Sequence, residues 1–303
     1  MDAGTARWYA GVLGAVLACL MVACGQSDPQ QAVTYVVRGD QAVEQHKFRE
    51  AIIDYLNSVQ HAPTDTSIRW KLVQASLHAA DYDRTFAELR SLLQREPGHA
   101  PARLLLGRLY LTAGKPDEAT RLARELIATL PNHPAGYLLQ GELAVREGEL
   151  PKALDRFEQA SMRDAQSLEP ILAAANVSML VNDLIRASHW YQVALERHPD
   201  SIDVHLARGN YFLTVGDRDS GEREFDRALE LGRDSEPARL SLVVQHLAHG
   251  RQDRAVRELE DAIHTLGSSK SRALLAELLL ETGRVGEAGV VIGELTGQAA
   301  PDA

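Results

Sequence analysis

Cysteine is almost missing from this 303-residue chain: there are two, Cys19 and Cys24, both within the first two dozen positions. No disulfide can therefore staple the remainder, and no thiol is on hand there for metal or redox chemistry. Aromatic residues are scarce, at 5%, and the charge balance is acidic, with a formal net charge of −10. Phosphate backbones are held by clustered Lys and Arg, so this balance argues against nucleic acid as a partner. Catalytic signatures are also lacking: the chain contains no GxSxG elbow, Walker loop or HExxH. Eleven histidines remain, and His246 and His249 lie three apart in HLAHG (246–250), close enough to share a helix face. A metal would need a further ligand from elsewhere, and no cysteine or acidic residue sits between the two. His246 falls at a packing position and His249 beside a turn. Carboxylates abound, but in EREFDRALE (222–230) they alternate with arginines, the pattern of a solvated helix face with i,i+4 pairs. The reading is a non-enzymatic chain with no cofactor and no metal.

What the chain has in abundance is repetition. Steps of 34 from Ala51 land on Thr85, Ala119, Ala153, Ala187, Gly221 and Ala255, all small. Prolines share the step at Pro63, Pro97, Pro131 and Pro199, and glycines at Gly39, Gly107, Gly141 and Gly209. Within each period the first half shows helical apolar spacing, as in YLLQGELAV (137–145) and HLARGNYFL (205–213). A breaker follows at Gly114, Gly148, Asn182, Gly216, Gly250 or Gly283, residues that reach positive φ at little cost and suit a helix C-terminus. A second helix follows, and proline often closes the period because it cannot continue a helix. Ala153 is expected where the two helices of one repeat cross. Phe157 and Ala160, four and seven residues on, share its face. The ring is expected to fill space between neighbouring repeats. Exported or not, such a chain is held by packing alone, and its 45% hydrophobic content permits this.

This pattern resembles the tetratricopeptide repeat (TPR): an aromatic or apolar residue, Leu, Gly, an aromatic, Gly, an aromatic, Ala, an aromatic, Ala and Pro at set positions. TPR-like repeats begin near Ala32, Thr66, Ala100, Pro134, Leu168, Ile202, Glu236 and Ser269, the seventh being one residue short. Two repeats depart from the pattern, the second at Val73 and Thr85 and the sixth at Gly221 and Arg233. The resemblance spans 32–297 and implies an all-α fold, a right-handed α-solenoid of about eight antiparallel helix pairs.

The family's first helices line a concave groove, and the alignment carries three columns onto this chain. One runs Val36, Trp70, Leu104, Leu138, Leu172, Leu206, Leu240, Ala273, and a second Val43, Leu77, Leu111, Val145, Met179, Leu213, Leu247, Leu280. The third is mostly polar: Asp40, Gln74, Arg108, Glu142, Asn176, Asn210, Val244, Glu277. The resemblance thus implies a peptide or protein partner held by Trp70, Gln74, Arg108, Glu142, Arg146, Asn176 and Asn210. Asparagine offers both a donor and an acceptor, so Asn176 and Asn210 could hold a peptide backbone. The alternative is structural: the leucines of the first two columns would simply pack between neighbouring first helices.

The N-terminus is of another kind. Arg7 precedes the apolar run WYAGVLGAVLACLMVAC (8–24), of signal-peptide length and slightly short for a typical membrane span. Ala23 before Cys24 and the polar GQSDPQQ after it resemble a bacterial lipoprotein signal, in which the cysteine is lipidated, with palmitate among the acyl chains, and becomes the mature N-terminus. Met21 stands where the family usually has Leu, and Cys19 is a competing site. The organisation expected is a signal peptide at 1–23, a short tether at 24–31, the repeats at 32–297 and a disordered tail at 298–303. The last helix, VGEAGVVIGELTG (285–297), carries four glycines and exposed-looking aliphatics. It is either frayed or a sticky end for a partner or a second copy, which would make a homodimer through the C-terminal repeat.

The expected function is a scaffold, lipid-anchored in the bacterial envelope, that binds protein partners during assembly of a pilus/secretin or polysaccharide export machine. The rival expectation is an adaptor recruiting peptidoglycan enzymes. Gly25 after the cysteine, where Asp would favour inner-membrane retention, points to the periplasmic face of the outer membrane.

Overall fold

The computed structural model describes residues 28–296, and within them every regular element is an α-helix. Sixteen helices follow one another as eight hairpins. They are α1 (Pro29–Glu44) with α2 (Phe48–His61), α3 (Thr66–His78) with α4 (Tyr82–Arg95), α5 (Ala100–Thr112) with α6 (Pro116–Thr129), and α7 (Ala135–Arg146) with α8 (Leu150–Arg163). The remaining pairs are α9 (Leu168–Leu180) with α10 (Leu184–Arg197), α11 (Ile202–Thr214) with α12 (Arg218–Leu231), α13 (Glu236–Ala248) with α14 (Gln252–Leu266), and α15 (Ser269–Glu281) with α16 (Val285–Thr296). The chain divides into two compact units, one ending at Leu139 and the other starting at Gln140. No described helix is long and apolar enough to cross a membrane. The expected signal peptide, Cys19, Cys24, the first half of the tether and the tail lie outside the described residues. Residues 29–31, read from the sequence as tether, are helical: Asp28 caps α1 by accepting from the backbone N–H of Gln30 and Gln31, and Pro29 has no N–H to leave unpaired.

Each first helix ends in the same way. The N–H of the third residue beyond the helix reaches back five residues, as from Lys115 to Tyr110 O at 2.8 Å and from Glu149 to Ala144 O at 2.8 Å. This closure needs a left-handed residue just before the donor. Gly114, Gly148, Asn182, Gly216, Gly250 and Gly283 all take positive φ, as their spacing predicts. The same turn in the first two hairpins is made by His46 at φ 57° and Ala80 at φ 56°, which the sequence did not advertise. Several second helices start on an aspartate cap: Asp81, Asp183 and Asp217 each accept from a backbone N–H in the first turn.

The small-residue column is buried from Ala51 through Thr85, Ala119, Ala153, Ala187, Gly221 and Ala255, and it continues to Ala288. It marks the crossing of the two helices of one hairpin: a Cβ on Gly221 would lie 3.3 Å from the Gly209 carbonyl oxygen across the pair. Phe157 is placed differently from expectation. Its ring covers Gly141 of its own hairpin, and the rings of Tyr55 and Phe225 cover Gly39 and Gly209 in the same way. A glycine on the first helix opens the space that the aromatic of the second helix fills. Around these contacts the core is built locally, as in the cluster Ala42, Ala51, Ile52, Tyr55, Leu72 and Ala75 in the first unit and Val243, Leu259, Leu275, Leu279 and Ala288 in the second. Local burial of this kind makes stability a sum of neighbour interfaces. The last helix is continuous to Thr296, with Val285, Val290, Ile292 and Leu295 exposed and Ala288 buried beneath it.

Candidate partner-binding faces

In the first unit the polar column begins at Asp40 on α1. Its carboxylate accepts from the Tyr55 hydroxyl of α2 at 2.6 Å and from Lys71 Nζ of α3 at 2.6 and 2.8 Å. Burial by itself would raise the Asp40 carboxyl, but the hydrogen bonds from Lys71 and Tyr55 outweigh it and hold it below its ordinary value. Burial, and then the Asp40 charge, push the Tyr55 hydroxyl well above its usual range, so it stays a donor. This triad borders an open cavity of about 390 Å³, lined also by Val43, Glu44, Gln74, Ala75 and His78. Gln74, a predicted site residue, is therefore a cavity wall. Trp70, predicted beside it, is half-buried and packs its ring against His99 at 5.0 Å between centroids. Arg108 is half-buried on α5.

In the second unit Glu142 is half-buried and Arg146 exposed on α7, while Asn176 on α9 and Asn210 on α11 are exposed. Asn176 is held in place: its side-chain carbonyl accepts from the Tyr191 hydroxyl at 2.9 Å. Burial, and then the neighbouring Tyr211, push the Tyr191 hydroxyl up to about 12, so it too remains a donor at physiological pH. Among the described residues the two amide protons of Asn176 meet no acceptor. The apolar columns are split: Leu104, Leu111 and Leu138 are buried, whereas Leu247 and Leu280 are exposed. Buried leucines here do structural work between helices, and exposed ones are open to a partner.

Sequence reading missed Tyr55, Lys71, Glu44 and His78 as members of one cavity. A signal existed for Lys71: steps of 34 from it meet Val37, Leu105, Leu139, Ala173 and Ala207, so a lysine breaks an aliphatic or small column. The histidine pair does not share one environment: His246 is buried, and His249 Nδ1 lies 2.8 Å from the Gln245 carbonyl. Among the described residues no group of three His, Cys, Asp or Glu could hold a metal ion.

Paired helices in steps of 34, with glycine turns and a ring-on-glycine core, define the class as an α-solenoid of helix hairpins. Two segments, 76–143 and 206–270, match models described as tetratricopeptide repeat, so the chain carries tetratricopeptide repeats. No curated protein matches the sequence. Among solved structures it is similar to yeast Tom70, with a TM-score of 0.65 at 14% identity over 84% of this chain and 55% of that one. A tetratricopeptide repeat protein from Parabacteroides merdae gives a TM-score of 0.56 at 12% identity, covering 83% of this chain and 99% of the other. PilW, described as a widely conserved type IV pilus biogenesis factor, gives 0.53 at 15% identity over 71% and 100%. The chain spans about half the length of two of the matched chains, 52% of the Cut9–Hcn1 chain and 55% of Tom70. At these identities the likeness is one of fold.

Proposed function

We propose that this protein is a non-catalytic interaction scaffold, tethered to a bacterial envelope membrane by a lipid on Cys24, which docks protein partners on its first helices during assembly of a pilus/secretin or polysaccharide export machine. Tetratricopeptide repeat proteins serve as protein-interaction scaffolds, and that coarse role rests on the family. The observation that carries the docking face is Asn176: an exposed amide whose carbonyl is held by Tyr191 and whose donors find no acceptor among the described residues. A fixed donor loses little conformational freedom on binding, so it suits recognition of a peptide carbonyl. The envelope tether is supported by the run 8–24 and by Cys24 with its polar sequel. PilW is a pilus biogenesis factor of the same fold, and it supports the pilus branch as analogy.

Two experiments test the reading. Crosslinking in cells, followed by recovery from detergent-solubilised envelopes, should capture a partner with the native chain and lose it with Asn176→Ala and Asn210→Ala combined. Equal recovery would remove the docking face. Cys24→Ser should release the protein from membranes or block its processing, and fractionation identical to the native chain would remove the lipid tether.

A further inference from the structure

The cavity between α1 and α3 has walls of definite chemistry. Asp40 and Lys71 are spent on each other, and Tyr55 takes a further share of the Asp40 carboxylate. His78 is stacked on Phe48 at 4.8 Å, with its ring plane 17° from parallel. Two polar groups on the walls have no such engagement. Among the described residues Glu44, exposed in the last turn of α1, has no ion-pair partner, and the side chain of Gln74 has no hydrogen-bond partner. Val43 and Ala75 are the aliphatic part of the lining. With Asp40 and Lys71 cancelling, Glu44 leaves the cavity with one net negative charge.

We infer that this cavity receives the cationic side chain of a peptide partner, an arginine or lysine. The aliphatic stem would lie on Val43 and Ala75, and the head would pair with Glu44 and donate to the Gln74 side-chain carbonyl. Charge complementarity favours this occupant over an acidic one: the free charge is a carboxylate, and the only lysine on the walls is already paired. The inference rests on the scaffold reading and sharpens it, since it says what the first unit selects. It is a preference set by one charge pair at the surface, so it adds selectivity more than affinity.

The test uses the full chain and three end-blocked, fluorescein-labelled peptides: Ala-Leu-Arg-Leu-Ala and its counterparts with Gln or Glu at the centre. Fluorescence anisotropy should rank them Arg, then Gln, then Glu. Glu44→Gln should shrink the advantage of the Arg peptide over the Gln peptide by about two- to fivefold, the size of an exposed ion pair. Lys71→Met should act in the opposite sense, tightening the Arg peptide, because it frees Asp40. Circular dichroism would confirm that both variants stay folded, as expected for partly exposed positions. Equal binding of the three peptides, no binding of any, or a preference for Glu that Lys71→Met abolishes would each overturn the assignment. Partner capture that depends on Asn176 and Asn210 could survive each of these results, so the two readings fail separately.

Discussion

The ring of Phe157 occupies the place where a side chain on Gly141 would be: a Cβ there would sit 2.7 Å from the ring's Cδ1. The two residues are 16 apart, and the same spacing pairs Gly39 with Tyr55 and Gly209 with Phe225. Other hairpins solve the same packing problem with the volumes redistributed: Val73 with Leu89 and Val243 with Leu259, all buried. Where the second-helix residue shrinks to Ala123, Gly107 is covered instead by Leu139 from the following hairpin. Different residue pairs thus fill the same two positions from hairpin to hairpin.

Gly141→Val should therefore overpack the fourth hairpin and destabilise it by about 1–3 kcal/mol. Adding Phe157→Leu should recover most of that loss, because it recreates the pairing used at Val73 and Leu89. Urea unfolding of the two single variants and the double variant measures the coupling. Additive effects would show that the ring and the glycine do not share one space.

The left-handed turn separates conformation from packing. At Gly148 a Cβ would meet nothing within 4 Å, yet φ is 77°. Gly148→Ala should cost about 1–2 kcal/mol from backbone strain alone. Ala80 already bears that strain at φ 56°. Ala80→Gly relieves it, offset by about 0.4–1 kcal/mol of added unfolded-chain entropy, so a neutral to modestly raised midpoint is expected. A clear loss of stability on Ala80→Gly would contradict the turn assignment.

Arg69 on α3 and Glu88 on α4 form an ion pair in which both side chains are largely buried. Arg239 with Glu258 repeats the arrangement at 3.4 Å. Arg69→Met leaves the Glu88 carboxylate without its partner, and a loss of about 3–5 kcal/mol is expected. Arg69→Met with Glu88→Leu should be far milder, since both charges are removed together. Thermal unfolding of the pair of variants checks this, and equal losses in both would show that packing, not charge, decides the site.

His246 supplies a pH dependence. Burial lowers its pKa, with Glu222 opposing and Arg254, Arg251 and His249 adding to the shift. A histidine whose folded pKa is depressed is bound by fewer protons in the fold than in the unfolded chain, whose value is about 6.5. Its contribution to stability is therefore full above about 6.5 and is lost as pH falls from there through the folded value. His246→Gln should flatten the fall in urea midpoint between about pH 7.5 and 5.5 relative to the native chain. A parallel fall in both proteins would exclude His246 as a source.

The helical hairpins and their turns were legible in the sequence because they depend on spacing within one repeat. A helix buries residues three and four apart, and a left-handed turn selects Gly or Asn, so Ala153, Gly148 and Asn182 announce their roles. His46 and Ala80 were not legible as turn residues, since neither favours positive φ by itself; the closing hydrogen bonds of the hairpin impose it. The polar column of the candidate site was visible as residue types at Gln74, Asn176 and Asn210. What each of these side chains can still do was not, because that depends on which partners the fold has already supplied.

The order of helices, their length and the period at which small residues recur were determined by the amino-acid sequence alone, through interactions reaching no further than the next repeat. The tertiary structure alone decided that the ring of Phe157 falls on Gly141, that Tyr191 holds Asn176, and that Lys71 is spent on Asp40 while Glu44 is not. Those outcomes rest on distances of a few ångströms between helices, set by side-chain volumes on both sides of each contact, and periodicity carries no record of them.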